Sequence, residues 1–548
     1  MLKKFLVLIT LIAAYWGATA QTQQLDKARE TALKGNLQEA KKIYEQILSS
    51  NPLSAPALTG LANVYASENK IDSAFIYYNK AAKLNYADAY FNLGKYYFNY
   101  KNDTKKALEY LQKAHKLSPD SSSYTLFMAM IYQAENKMDS AITYYKEVMN
   151  KEPENAYPYY FIGEYLYESD SLQMAYEFVN EAIKRNDKNY NFYDLKSSIE
   201  FKAGMYKEAL ESINKALAIK QLPKLQLRKA KILYALGNYS EAIKILKPLT
   251  EDKDINLNAY YFLGWSYYNL GQYDKALKIA NNALAIDPNI PEFYELLAYT
   301  YLKTWKYKEA EEAADNLIAL SPDYYQGYVL KVNAQLKQRT SKNILDANGY
   351  FYDLNLKNLA TLKKMTEDKD SKYYYNKLMS KFLKSPDKLA IDEYFMLYLG
   401  YGLNNTIKRY DSKKYTSLYN SGNYTATINE ALKAIESYPL DVSAYLYLAN
   451  SYLKTGDKDK FLKYLTIYHG LLKGISASGT GTSPENAIII TDRDDEYYLI
   501  DYTKGSPQRA VNFGIKQVEK DGKTFEVIEI GFQPGKNFQI FFFNIKDN

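Results

Sequence analysis

From Gln21 to about Thr340 the apolar residues recur at helical spacing in short stretches separated by Gly, Asn or Pro, a pattern that predicts a succession of short amphipathic helices. One position in the pattern stays small. Alanine stands at Ala40, Ala74, Ala107, Ala141, Ala175, Ala209, Ala242, Ala276 and Ala310, each 33 or 34 residues after the last. An interval held that closely predicts stacked helix pairs, one pair per interval.

The stretch from Tyr260 to Pro288 shows the unit best. Tyr260, Leu263, Gly264 and Tyr267 put three bulky groups and one small one on a single face of a first helix, with Gly264 allowing close approach of the second. Gly271, Gln272 and Tyr273 make the turn, Ala276 and Ala283 sit where the helices cross, and Pro288 stops the second helix. Related runs are Tyr159, Phe161 and Gly163 with Ala175, and Tyr294, Leu297, Ala298 and Tyr301 with Ala310 and Pro322. Tyr86, Asp187 and Gln221 replace the proline in some copies, and Lys196-Ser197 replaces the apolar-small pair, but the spacing survives.

These residues resemble the tetratricopeptide repeat family over Gln21 to Thr340, as nine helix pairs and the first helix of a tenth. The resemblance implies a mainly all-α fold, an α-solenoid forming a right-handed superhelix, in which no repeat folds alone. Each buried Leu or Tyr at a crossing contributes on the order of 1.5 to 3 kcal/mol, offset by ordering of the backbone.

Regularity ends after the array. Asn343 to Lys369 still reads as helical, Glu367 to Lys372 is a charged joint, and helical periodicity returns over Tyr373 to Leu383 and Leu389 to Leu403. Two repeat-like pairs follow within about 408–473. One carries Gly422-Asn423-Tyr424, Ala431, Ala434 and Pro439, the other Tyr445, Leu448, Ala449, Tyr452, Gly456 and Phe461. Residues 341–473 are therefore assigned as irregular helices with two further pairs, and 474–548 as a small α+β module. That module opens on a Gly/Ser/Thr stretch, Ser476 to Ser483, of which Gly479 to Ser483 reads as a flexible connector. Ile488 to Ile490, Val511 to Val518, Thr524 to Ile530 and Phe538 to Ile545 read as strands, with Asp521-Gly522 as a hairpin turn and a short helix over Asp494 to Tyr502.

The stretch Tyr373 to Asn548 resembles an uncharacterised family of secreted bacterial proteins carrying a domain of unknown function. The resembling pieces are Asp392-Glu393-Tyr394, Tyr398 to Gly402, Ser478 to Ser483, Asp495-Glu496-Tyr497 and the Phe-rich ending. The resemblance implies a domain boundary and an exported setting, and no activity.

The first residues read as an address. Lys3 and Lys4 precede an apolar run from Phe5 to Trp16, and Ala18-Thr19-Ala20 offers a cleavage site, so residues 1–20 are expected to leave as a signal peptide. The expected setting is periplasmic or extracellular, with no membrane span after cleavage, and the lack of cysteine removes a lipoprotein anchor. The same lack removes disulfides, thiolate metal sites and cysteine nucleophiles. Net charge is +7, or +5 once Lys3 and Lys4 leave, which is mild for 548 residues and, with export, argues against a nucleic-acid partner.

Catalytic material is scarce. The two histidines, His115 and His469, read as surface or partly packed helix residues rather than bases. Gly479 to Ser483 lacks the lysine and the strand-loop-helix setting of a phosphate cradle. Asp492, Asp494, Asp495 and Glu496 suit a helix N-terminus better than calcium, because Tyr497 stands where a calcium loop needs glycine. The chain is expected to be no enzyme and to carry no cofactor or metal.

Binding is the better-supported role. In the family the first helices line a concave groove, and the positions not used for packing face it. Here these are Tyr160, Glu164 and Tyr167; Lys231 and Tyr234; Asn258, Tyr261, Trp265, Tyr268 and Asn269; and Glu292, Glu295 and Tyr299. Tyr261, Trp265 and Tyr268 fall on one stripe of a helix. The expectation is a scaffold whose groove holds a peptide segment or an envelope protein. A glycan or peptidoglycan is the alternative ligand, and a hydrolase sited in the C-terminal module a third reading. A tyrosine surplus of 59 residues that merely packs the repeats is the competing structural explanation.

Overall fold

The computed structural model describes residues 21–251, 256–346, 349–351, 359–405, 407–483, 486–491, 495–496, 498–499, 512–520, 523–531 and 539–545. The chain divides into two compact units, the first ending at Leu236 and the second beginning at Gly237.

The first unit is a run of helices: α1 (21–33), α2 (Leu37–Ser50), α3 (Ala55–Ser67), α4 (Ile71–Ala82), α5 (Ala87–Lys101), α6 (Thr104–Leu117), α7 (Ser122–Ala134), α8 (Met138–Lys151), α9 (Ala156–Glu168), α10 (Leu172–Arg185), α11 (Tyr190–Lys202), α12 (Tyr206–Ile219) and α13 (Pro223–Ala235). The second unit continues the pattern with α14 (Tyr239–Leu249), α15 (Asn256–Asn269), α16 (Tyr273–Ile286), α17 (Pro291–Lys303), α18 (Tyr307–Leu320) and α19 (Tyr325–Arg339). It then adds α20 (Leu359–Glu367), α21 (Tyr375–Lys384), α22 (Ile391–Asn404), α23 (Lys413–Asn420), α24 (Tyr424–Ser437), α25 (Val442–Thr455) and α26 (Lys458–Ala477).

The marker alanines are sealed at the crossings, none more than 2% exposed. A second periodic feature accompanies them. Five residues before each marker the backbone turns left-handed, at Gly35, Asn69, Asn102, Asn136, Asp170, Gly204, Gly237, Gly271 and Trp305. Gly, Asn and Asp tolerate that conformation, which reverses the chain between paired helices. Trp305, at φ 64°, does not, and the strain there is about 1–2 kcal/mol. Where proline is missing, other groups act: Gln221 gives its side-chain amide to the Leu217 carbonyl (2.7 Å) and so closes the end of α12. In the copy with Lys196-Ser197, Ser197 is fully buried and donates to the Asp194 carbonyl (2.8 Å).

Gly264 serves closeness in a different direction from the one expected. A Cβ there would lie 2.5 Å from Leu296 Cδ2 of α17 but 3.4 Å from Ile279 of α16, so the tight contact is with the next first helix rather than with its own partner.

Beyond α19 the second unit stops repeating and forms one continuous core. Tyr328, Val332 and Leu336 of α19, residues of α20–α26, Ile488 to Ile490 and Phe543 all join it. Its centre is α26, 20 residues long and buried on nearly every side, against α19, α22 and α25. Gly470 and Gly474 let α22 approach: a Cβ on Gly474 would come within 2.8 Å of the Phe395 backbone nitrogen.

Among the described residues four strands follow: β1 (Ile488–Ile490), β2 (Asn512–Lys520), β3 (Lys523–Gly531) and β4 (Gln539–Ile545). The sheet order is β1-β4-β3-β2, with β1 parallel to β4 and the other pairs antiparallel. Pairing of Lys520 with Lys523 leaves a two-residue connection where the hairpin was expected. β1 packs on α26.

Two local expectations are corrected. Within 343–369, Leu345 and Phe351 form a β-bridge and the described helix covers only Leu359–Glu367, because Gly349 turns left-handed and Phe351 packs on Phe395 instead of continuing a helix. The Gly479 to Ser483 connector is held fast at its start. Ser478 is buried, donating to the Ile475 carbonyl (2.7 Å) and accepting from the Ile489 N–H (2.9 Å), and a Cβ on Gly479 would strike the Ala487 carbonyl.

Candidate functional site

In the first unit the expected groove positions lie on α9 and α13 and are all half-buried. Tyr160 donates to Glu164 (2.8 Å) and packs on Phe192, while burial holds the Glu164 carboxyl above its usual range. Tyr167 carries the Lys202 ammonium 5.2 Å from its ring centre. Lys231 and Tyr234 are half-buried, with burial and then the Arg228 charge lowering the pKa of Lys231.

In the second unit the aromatic stripe is a cluster. Trp265 sits 6.4 Å from Tyr261, 5.3 Å from Tyr268 and 5.6 Å from Tyr299, so rings of α15 and α17 pack edge to face. All four are half-buried, while Asn258, Asn269 and Glu292 beside them are exposed. The Trp265 indole N–H is buried and reaches no acceptor among the described residues, a deficit of about 1–3 kcal/mol. Burial raises the pKa of Glu295, which accepts from Tyr324 (3.0 Å), and pushes Tyr268 up to about 12. The stripe therefore both packs neighbouring repeats and faces outward: Trp265 is a keystone of the cluster, not a free-standing contact residue.

One further step of 34 residues from Asn258 and Glu292 falls on Gln326, and one from Trp265 and Tyr299 falls on Asn333. Both lie on α19, and Gln326 donates to the Tyr299 hydroxyl (2.6 Å). The repeat register contained this signal, but the candidate positions stopped at Tyr299. Here the outward face of α19 meets α25 and α26 and forms one wall of a cavity of about 950 Å³.

The remaining chemistry is also placed. His115 is half-buried, its Nδ1 3.5 Å from the Thr125 hydroxyl. His469 departs from expectation: it is buried in α26, and burial followed by the Lys473 charge lowers its pKa to about 3, so the ring is neutral. Asp492 and Asp494 lie outside the described residues. Asp495 has a role beyond the expected helix terminus. It is fully buried, 2.7 Å from an Arg409 guanidinium nitrogen, and accepts from the Tyr398 hydroxyl (2.8 Å). Arg409 also reaches Asp441 at 3.4 Å. No described helix is long and apolar enough to cross a membrane.

Residues 25–85, 88–121 and 200–254 each match the family described as tetratricopeptide repeat. Residues 235–317 match that of anaphase-promoting complex, cyclosome, subunit 3, and residues 360–546 match the "Domain of unknown function (DUF4919)". A curated relative, the BBSome complex member BBS4 of Bos taurus, is 26% identical over 235 residues, 42% of this chain and 45% of that protein, so the chain matches under half of the relative's length. Among solved structures, one from a study of Pseudomonas aeruginosa pilF has 21% identity, covers 39% of this chain and 97% of its own, and has a TM-score of 0.35. A tetratricopeptide repeat protein from Parabacteroides merdae has 15% identity, covers 45% and 98%, and has a TM-score of 0.34.

Proposed function

We propose that this chain, which carries tetratricopeptide repeats ahead of a DUF4919 domain, is an exported interaction scaffold that holds a peptide segment of an envelope protein against the first-helix faces of its repeats. The observation that carries the reading is the aromatic face of α15 and α17, whose half-buried rings are flanked by exposed Asn258, Asn269 and Glu292. Aromatic surface beside amides and carboxylates suits an extended backbone, whose apolar side chains pack on the rings and whose amide groups meet the polar ones. Export is supported by Lys3 and Lys4, the apolar run to Trp16 and Ala18-Thr19-Ala20.

The test is recovery from an envelope extract by the chain starting at Gln21, compared with an Asn258→Ala, Tyr261→Ala double variant. These two positions leave the Trp265–Tyr299 contact in place. A protein retained by the first and reduced about tenfold or more by the second is the expected result. Equal recovery by a folded double variant would remove this face from the assignment, and retention of peptidoglycan instead of protein would favour the glycan reading.

A further inference from the structure

The cavity of about 950 Å³ beside the four-ring cluster is walled by α19 on one side and by α25 and α26 on the other. The first-helix stripe changes character there. The register step that places a ring at Trp265 and at Tyr299 places an amide at Asn333, and Gln326 and Asn450 bring two more amides to the lining. Asn333 Oδ1 makes no hydrogen bond among the described residues, and none engages the half-buried Asn450 side chain. An amide held out of bulk water with an unmet polar atom gains from a hydrogen-bonding group delivered beside it.

Two aromatic rings of the lining are already fixed in place. Tyr299 packs at 5.6 Å on Trp265 and its hydroxyl accepts from Gln326 (2.6 Å), while the Tyr325 ring lies 6.1 Å from that of Phe461. Both tyrosines are half-buried, and rings held this way lose little further freedom on binding. An apolar ligand would leave the amides and the Lys337 ammonium desolvated without partners. A cationic ligand would meet Lys337, with no carboxylate among the described lining residues. A sugar answers both kinds of surface at once: its C–H faces lie on tyrosine, and its hydroxyls donate to and accept from amides. An ammonium carries three donors, so Lys337 and Lys473 can each serve a hydroxyl oxygen while keeping other partners. The volume lies at the upper end of the roughly 300–1,000 Å³ typical of small-ligand sites, which leaves room for more than one sugar ring.

We infer that this cavity binds a short uncharged oligosaccharide, stacked on Tyr299 and Tyr325 and hydrogen-bonded by Asn333 and Asn450. The site is built jointly by the last repeat-type helix and the DUF4919 region, so neither supplies it alone. It does not depend on the scaffold reading, because its amides lie on α19 and α25 and stay in place if α15 and α17 fail as a peptide surface.

Isothermal titration of the whole chain with maltotriose, cellotriose, mannotriose and triacetylchitotriose, each separately, tests the inference. Saturable one-site binding of at least one is expected, weakened about tenfold or more in Asn333→Leu and in Asn450→Leu and unchanged in Asn258→Ala, which alters only the exposed face of α15. Leucine is close to asparagine in size and removes the unmet acceptor, so Asn333→Leu should melt no lower than the parent while losing the sugar. Should the cavity variants fold poorly, hydrogen exchange of the unaltered protein gives the same answer. The bound sugar should slow exchange in α19 and α25 and leave α15 unchanged. No saturable binding of any of the four sugars, binding undiminished in both folded cavity variants, binding lost in Asn258→Ala, or unchanged exchange across α19 and α25 would overturn it.

Discussion

Arg409→Met is expected to destabilise the second unit by about 3–5 kcal/mol, because it strips a shared cation from two carboxylates that have almost no solvent. Asp495 is 0% and Asp441 1% exposed, and Arg409 reaches 2.7 Å and 3.4 Å to them. Each carboxylate has other duties. Asp441 caps α25 through the Ala444 N–H (3.0 Å) and accepts from Ser443 (2.9 Å). Asp495 accepts from Tyr398, whose hydroxyl in turn accepts the Thr491 N–H (3.0 Å). These hydrogen bonds offset part of the desolvation but supply no positive charge. Thermal unfolding followed by circular dichroism, with limited proteolysis to locate the loss after Gly237, measures the effect. Adding Asp441→Asn and Asp495→Asn to Arg409→Met should restore part of the stability, since neutral amides carry a smaller burial penalty. A single variant as stable as the parent would show that the pair contributes nothing.

Gly474→Ala is expected to weaken the same unit by about 1–3 kcal/mol or more, through overpacking. A Cβ there would meet backbone on α22: the Phe395 nitrogen at 2.8 Å and the Ile391 carbonyl oxygen at 2.9 Å. Backbone in a helix cannot swing aside, so α22 and α26 must separate, and the core around Phe395 and Leu471 opens with them. Gly264→Ala is the internal comparison. Its Cβ meets Leu296 Cδ2 at 2.5 Å, but that atom is the tip of a flexible side chain, and alanine gains about 1 kcal/mol of helix propensity over glycine. The two variants should therefore differ clearly in melting temperature, with Gly264→Ala near the parent. Equal effects would mean that the α22–α26 approach is not the constraint described.

What was legible in the chain beforehand follows from how far each constraint reaches. Ala276 and Gly271 act within one helix pair, so their interval reveals the pairs directly, and the strand at Ile488 to Ile490 shows as a short apolar run. The Trp265 stripe was legible as a face, but its packing against Tyr299 was not, since the next repeat provides half the cluster. Asp495 read as a helix cap because the local dipole argument is sound, yet its cation lies 86 residues earlier at Arg409. His469 misled for the same reason: nothing near it in the chain announces that α26 becomes the centre of a core. Gln326 and Asn333 were within reach of the repeat register, whereas Lys473 joins them only through the packing of α26 on α19.

Photo-crosslinking tests most directly whether first-helix faces are the contact surface. A benzoylphenylalanine placed at Tyr261 on α15, and in a separate protein at the exposed Lys278 on α16, is irradiated in envelope extract. A discrete adduct is expected from position 261 and none from position 278. Adducts of equal yield from both positions, or from 278 alone, would contradict it.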